Sequence, residues 1–201
     1  MARRRVPDAE SSLEERGAAL SSELERLRAE NGRLRAENGR LRRLTRTDPL
    51  TGVGNRRALR TRLAEAVAAA RPLGSGGAVL FIDIDHFKAF NKRFGHLVGD
   101  QTLHGVARAL KAGLRRTDFL ARFGGEEFVA LLPGTDLDGA VEVAERLRRA
   151  VAAGKWPGEG ATVSIGVAAF GSERTTAPRL LRDADAAMRR AKAAGRNRVC
   201  H

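Results

Sequence analysis

The sequence predicts an α+β fold: a ferredoxin-like βαββαβ core, with a central antiparallel sheet and flanking helices, preceded by a parallel coiled-coil helix. Three observations predict it. Strand-like and helix-like runs alternate in the order β-α-β-β-α-β beyond residue 77, with one further helix at either end. Leu13, Leu20, Leu27, Leu34 and Leu41 recur every seven residues. All eight Phe and the single Trp lie at or beyond Phe81, so the first third of the chain has no aromatic core material.

Taken in order, residues 1–9 form a basic N-terminus, expected to be flexible, in which Pro7 interrupts any continuous helix. Residues 10–47 form a dimerisation helix and hinge. With the heptad leucines at d, the a positions are Glu10, Gly17, Leu24, Asn31, Asn38 and Thr45, and Asn at a favours a parallel two-stranded pairing. Glu30 and Glu37 at g face Arg35 and Arg42 at e of a second copy. A stripe two residues wide per heptad fits a coiled-coil seam better than a helix packed on a globular core.

The globular part, 48–201, begins with a helix over Pro49–Ala70 and a loop over Arg71–Gly77. Ala78–Ile84 reads as a strand, Gly99–Leu114 as a helix, and Phe119–Phe123 and Glu127–Leu132 as two strands around Gly124-Gly125. Leu137–Ala153 is a helix, Thr162–Ala169 a strand, and Pro178–Ala194 an Ala-rich helix stopped by Gly195. In the ferredoxin-like motif the helices lie on one face of the sheet.

The 201 residues carry 37 Lys and Arg against 24 Asp and Glu, a net charge of +13 that points to a polyanionic partner and excludes an acidic, disordered chain. The excess is +4 over residues 1–47 (12 against 8) and +9 over the remainder (25 against 16). Much of the first belongs to a patterned helix surface. Cys200 alone cannot form an internal disulfide or a structural zinc site, and no apolar run reaches the length of a membrane helix. The expected location is the cytoplasm, with no membrane and no nucleic acid as partner.

Two acids, Asp83 and Asp85, interrupt an apolar strand and fall on one side near its C-terminal end. A cation could neutralise both, and for Asp85 capping of the following helix is as good a reading. In Arg122-Phe123-Gly124-Gly125-Glu126-Glu127-Phe128, paired carboxylates follow a Gly-Gly turn. Alone that pattern is common. If the two central strands are neighbours, the hairpin acids approach Asp83 and build an oxygen-rich site suited to Mg²⁺.

Gly124-Gly125-Glu126-Glu127-Phe128 resembles the signature of the GGDEF family, the bacterial diguanylate cyclases, with Glu in third place. Asp48-Pro49-Leu50-Thr51-Gly52 with Asn55-Arg56-Arg57, Phe81 to Asp85 with Phe87-Lys88 and Asn91, Gly95-His96, Gly99-Asp100, Ser164-Ile165-Gly166, and Ala191-Lys192 with Gly195-Arg196-Asn197 agree in order and spacing, so the resemblance spans about Asp48 to Val199. It implies a nucleotidyl-cyclase palm that condenses two GTP into cyclic di-GMP with release of pyrophosphate.

The resemblance also implies roles. Asp83, Glu126 and the main-chain carbonyl of Ile84 would bind Mg²⁺, with Mn²⁺ as an alternative. Glu127 would take the proton from the attacking 3′-hydroxyl, and Lys88 would steady the transition state. Asn91 and Asp100 would read guanine, and Asp at 100 favours the GTP-only product. His86 and Phe87 would offer backbone amides to phosphate, His96 would lie beside the nucleotide, and Lys192 and Arg196 near the triphosphate. The bland alternatives are an N-cap role for Asp100 and helix-dipole cations for Lys192 and Arg196.

Arg115-Arg116-Thr117-Asp118 matches the family's inhibitory product site, supported by Arg146. Arg115 would contact guanine O6 and N7, and a simple Arg115–Asp118 ion pair is the alternative. Two departures stand out: Lys92 where the family commonly has Asp, and Arg189 where an aromatic is common.

Each active site of such an enzyme holds one GTP, so two domains must face each other, and a zipper supplies that proximity. A catalytically silent module that binds cyclic di-GMP and transmits a signal through the coiled coil is the competing reading. A basic zipper bound to DNA is a weaker third, because the arm of Arg3, Arg4 and Arg5 is too short.

Overall fold

The computed structural model describes residues 9–44, 46–73, 76–171 and 175–201. It divides into two units, Met1–Thr45 and Arg46–His201. The basic terminus expected over residues 1–9 lies outside the described residues except for Ala9, as does Thr45 of the hinge.

In the first unit, Ala9–Leu44 form one helix of 36 residues, α1. Leu20, Leu24, Leu27 and Leu34 are between 49% and 71% exposed along it. Leucine in water on this scale gives the helix an apolar stripe that nothing in its own unit covers among the described residues.

The second unit is a six-stranded sheet in the order β1-β3-β4-β2-β5-β6. Its elements are β1 Gly54–Asn55, α2 Arg56–Leu73, β2 Gly77–Ile84, α3 Phe87–Phe94, α4 His96–Ala112, β3 Phe119–Arg122, β4 Glu127–Pro133, α5 Leu137–Ala152, β5 Val163–Phe170, α6 Ala177–Ala193 and β6 Val199–Cys200. Strand β2 sits in the centre, antiparallel to β4 and β5, and all eight of its residues are buried. Ala78, Leu80, Ile82 and Ile84 pack with Phe87, Leu110 and Leu147 on one face. Val79 and Phe81 pack with Leu59, Leu63 and Met188 on the other. The two motif helices, α4 and α5, thus share one face, and the added helices α2 and α6 cover the second, which accounts for the apolar run of β2 as far as Asp83.

Local chemistry moves several boundaries. Helix α2 starts at Arg56, not Pro49, because Asp48 closes a turn: its Oδ1 accepts from Thr51 N–H at 2.9 Å and Thr51 Oγ1 at 2.7 Å. Gly52 follows at φ 71°, and Asn55 Oδ1 then accepts from Ala58 N–H at 2.9 Å as the cap of α2. Arg46 and Thr47 belong with this unit, since Asn55 N–H donates to Arg46 O at 3.0 Å. Helix α3 lies in a stretch to which the sequence reading assigns no element, and α4 begins at His96 instead of Gly99; Gly95 at φ 84° separates the two. After α6, Arg196 N–H donates to Ala191 O and Gly195 N–H to Lys192 O, the paired bonds of a Schellman motif around the expected Gly195.

Gly166 on β5 explains how closely α6 is seated. A Cβ there would collide with the backbone of Ala184 and Met188. The absence of a side chain brings the helix that carries Lys192 directly onto the sheet.

Candidate active site

Strand pairing brings the acids together. In the β2–β4 register Asp83 stands opposite Glu127, and Ile84 N–H donates to Glu126 O at 3.3 Å. The Gly124-Gly125 turn closes with Phe123 N–H donating to Glu127 O at 2.8 Å. Arg122 braces it by donating to Gly125 O at 2.7 and 3.1 Å and to Asp48 Oδ1 at 3.3 Å. The Glu127 carboxylate occupies the space that a side chain at position 124 would take, so Gly124 is required for that rotamer.

The electrostatics are those of crowded acids. Burial raises the pKa of Asp83, Glu126 and Glu127, and the Asp83 charge pushes both glutamates further up. Lys192 opposes this from α6, its Nζ 2.8 Å from Asp83 Oδ1. Apart from that ion pair, Asp83 Oδ1 is buried without a hydrogen-bond partner. A buried oxygen short of donors beside two repelling carboxylates is a setting for a hard divalent cation. No three metal-ligating side chains converge among the described residues, so a cation here would need other oxygens to complete its shell.

Asp85 takes neither of the roles open to it in the sequence. It is buried, its Oδ1 accepts from Ser164 Oγ at 2.6 Å, and its Oδ2 accepts from Thr162 Oγ1 at 2.7 Å and from the Asn197 N–H at 3.0 Å. Three donors satisfy its charge. The residue that precedes α3 is His86, in a left-handed conformation at φ 57°.

Beside the acids opens a cavity of about 850 Å³ lined by His86, Lys88, Ala89, Asn91, Lys92, His96 and Glu126. It gathers five of the residues that sequence reasoning singled out and includes the departure Lys92. Asn91 Oδ1 is buried and unpartnered, and a Cβ at Gly99 would collide with it, so the glycine leaves the room that this position of the amide needs. Asp100 does not line this cavity; it is exposed within α4, which removes the N-cap alternative. Phe87 is a core residue, its ring stacked on Phe90 at 6.0 Å, so only its backbone is available to a ligand. Arg196 acts electrostatically on Asp83 from the loop after α6. Arg189 pairs with Asp185 at 2.8 Å on the exposed side of that helix. A separate cavity of about 640 Å³ beneath the Asp48–Val53 turn is lined by Arg46, Arg62, Arg108 and Lys111 and by no carboxylate.

The Arg115–Asp118 segment is a turn at the end of α4. Asp118 is buried and its Oδ2 accepts from Arg115 N–H at 2.8 Å, while the Arg115 side chain is exposed. The two form no ion pair among the described residues; Asp118 is occupied by backbone. Arg146, on α5, donates to Gly113 O at 2.9 Å, immediately before this turn.

Residues 45–198 match the family model described as "Diguanylate cyclase, GGDEF domain". Diguanylate cyclase DgcP of Pseudomonas aeruginosa is 48% identical over 158 residues, 76% of this chain and 23% of that protein. Response regulator PleD of Caulobacter vibrioides is 41% identical over 159 residues, 76% of this chain and 35% of that protein. The chain thus spans well under half the length of these curated relatives. Among solved structures, the coiled coil and GGDEF domain of DgcB from Caulobacter crescentus in complex with c-di-GMP matches at TM-score 0.74 and 33% identity, covering 90% of this chain and 98% of that one. Diguanylate cyclase SiaD in complex with its activator SiaC from Pseudomonas aeruginosa matches at TM-score 0.73 and 35% identity, covering 94% and 76%.

Proposed function

Because the chain belongs to the GGDEF diguanylate cyclase family, we propose that it condenses two molecules of GTP into cyclic di-GMP and two of pyrophosphate, as a homodimer and with Mg²⁺. The observation that carries this reading is the intact trio of Asp83, Glu126 and Glu127, crowded at the end of the β2–β4 pair beside the Asn91 cavity. A silent receptor has no need to keep three mutually repelling acids half buried.

Asp83, Glu126 and the Ile84 carbonyl would hold the metal, which supplies neutralisation of phosphate charge. Asn91, its Oδ1 free, accepts from the guanine edge that carries N–H groups. Glu127, whose raised pKa makes it a better proton acceptor than an exposed glutamate, receives the proton of the 3′-hydroxyl. The oxygen then attacks the α-phosphorus of the GTP on the partner subunit, and the bond to pyrophosphate breaks. Lys88 lines the cavity with its cation available to the phosphates. Each subunit performs the step once, so a pair of domains is the working unit, and the exposed leucines of α1 supply its contact surface.

Incubation of the purified chain with GTP and Mg²⁺, with products identified by mass, is expected to yield cyclic di-GMP. Binding of cyclic di-GMP without any turnover would instead establish the receptor reading. We also propose product feedback at Arg115, Asp118 and Arg146. The exposed Arg115 guanidinium is free of Asp118, and Arg115→Ala is expected to let product accumulate past the plateau reached by the parent chain; identical progress curves would exclude that site.

A further inference from the structure

The loop after α6 combines two unusual features. Arg196 and Asn197, neither of them glycine, are both in the left-handed region, at φ 62° and 43°. Such a conformation persists only where its surroundings enforce it, and it collects at functional sites. Here the enforcement is visible. Asn197 N–H donates to Asp85 Oδ2 at 3.0 Å, Asn197 Oδ1 accepts from Arg148 Nη1 at 2.9 Å, and Ile165 N–H donates to Arg198 O at 3.0 Å. Arg148 is itself fixed by Glu145, which accepts from its Nε and Nη2 at 3.0 and 2.9 Å.

Asp85 is the part of this clamp that the catalytic reading does not use. A carboxylate buried at the end of β2 spends both oxygens on fixing β5 and a turn 112 residues away. Lys192, in the last turn of α6, and Arg196, in the strained turn itself, are the two cations that act on Asp83. We propose that Asp85 is a positioning residue: through the backbone of Asn197 it holds the strained turn after α6 and so aims Arg196 and Lys192 at the phosphates of the bound nucleotide. The role rests on the reading of the cleft as a GTP site. Arg148 serves the same turn from α5.

The test compares binding of a GTP analogue with an uncleavable α,β-methylene bridge against GMP, using the full chain. Asp85→Asn keeps the shape but presents an NH₂ donor to groups that are already donors. It is expected to reduce the preference for the analogue over GMP about tenfold, as misplaced phosphate-binding cations should. Arg148→Met, at the surface end of the clamp, should reduce it about threefold in the same direction. Adding Arg196→Ala to Asp85→Asn should cost less than Arg196→Ala alone, because the arginine is already misdirected. Equal weakening of both nucleotides, or effects that simply multiply, would make Asp85 a structural residue only and overturn the proposal. If Asp85→Asn does not fold, Arg148→Met decides: an unchanged preference refutes the clamp. A parent chain that binds GMP and the analogue alike, or neither, would remove the GTP-site reading and the proposal with it.

Discussion

Asp83 and the two glutamates crowd the β2–β4 end, and the charge on Asp83 raises the pKa of both Glu126 and Glu127. Asp83 is buried, its pKa is raised by that burial, and it is only partly relieved by Lys192. A carboxyl whose folded pKa exceeds its unfolded value contributes stability below the unfolded pKa and loses it as pH rises through the folded one. Asp83→Asn is therefore expected to raise the Tm of the metal-free chain at neutral pH, by about 2–4 °C for each kcal/mol relieved in a protein of this size. The advantage should grow as pH rises through the raised range and vanish below the ordinary aspartate value of 3.8. A variant that melts below the parent at neutral pH would show that the Lys192 pair outweighs burial. Glu127→Gln should keep nucleotide affinity within about twofold while turnover falls by about 10²–10⁴, the usual worth of a general base. Equal loss of both would assign Glu127 to binding.

Elements show where sequence patterns carry far and where they fail. The heptads of α1 and the apolar run of β4 depend on many residues, and α1 spans Ala9–Leu44 as the repeat requires. The two-residue strands β1 and β6 offer no period to detect, and the α3–α4 break depends on one glycine, Gly95. Helix α2 starts at Arg56 and not at the expected Pro49 because Asp48 bonds Thr51 locally instead of opening a helix. In the site, the approach of Asp83 to the hairpin acids is legible from motif spacing, and Asn91 is named only by the family resemblance. The clamp at Asp85 is not legible, since its donors Thr162, Ser164 and Asn197 lie 77 to 112 residues away and only the fold assembles them. For α1 the exposed seam gives a direct expectation: Leu24→Lys with Leu27→Lys should turn a dimer into a monomer by light scattering and make specific activity rise steeply with protein concentration. A double variant that stays dimeric would move the contact surface elsewhere.

At the scale of the whole molecule, a basic chain holds a few buried acids, with Lys192 standing directly on one of them, Asp83. On the proposed reading, the net charge of +13 would attract triphosphates and the acids at the β2–β4 end would form the reacting centre. The sheet decides how durable that centre is. Strand β2 is hydrogen-bonded on both edges and covered on both faces, whereas β4 reaches its glutamates only at a hairpin tip. Amide protons of Phe81 and Ile82 should thus exchange with solvent only through global unfolding, while those around Gly124 and Gly125 exchange through small local openings. If the cleft binds metal and nucleotide as proposed, they would leave by a breathing of the hairpin half of the site against the deeply buried Asp83, and the lifetime of the bound state would be written into the turn and not into the core.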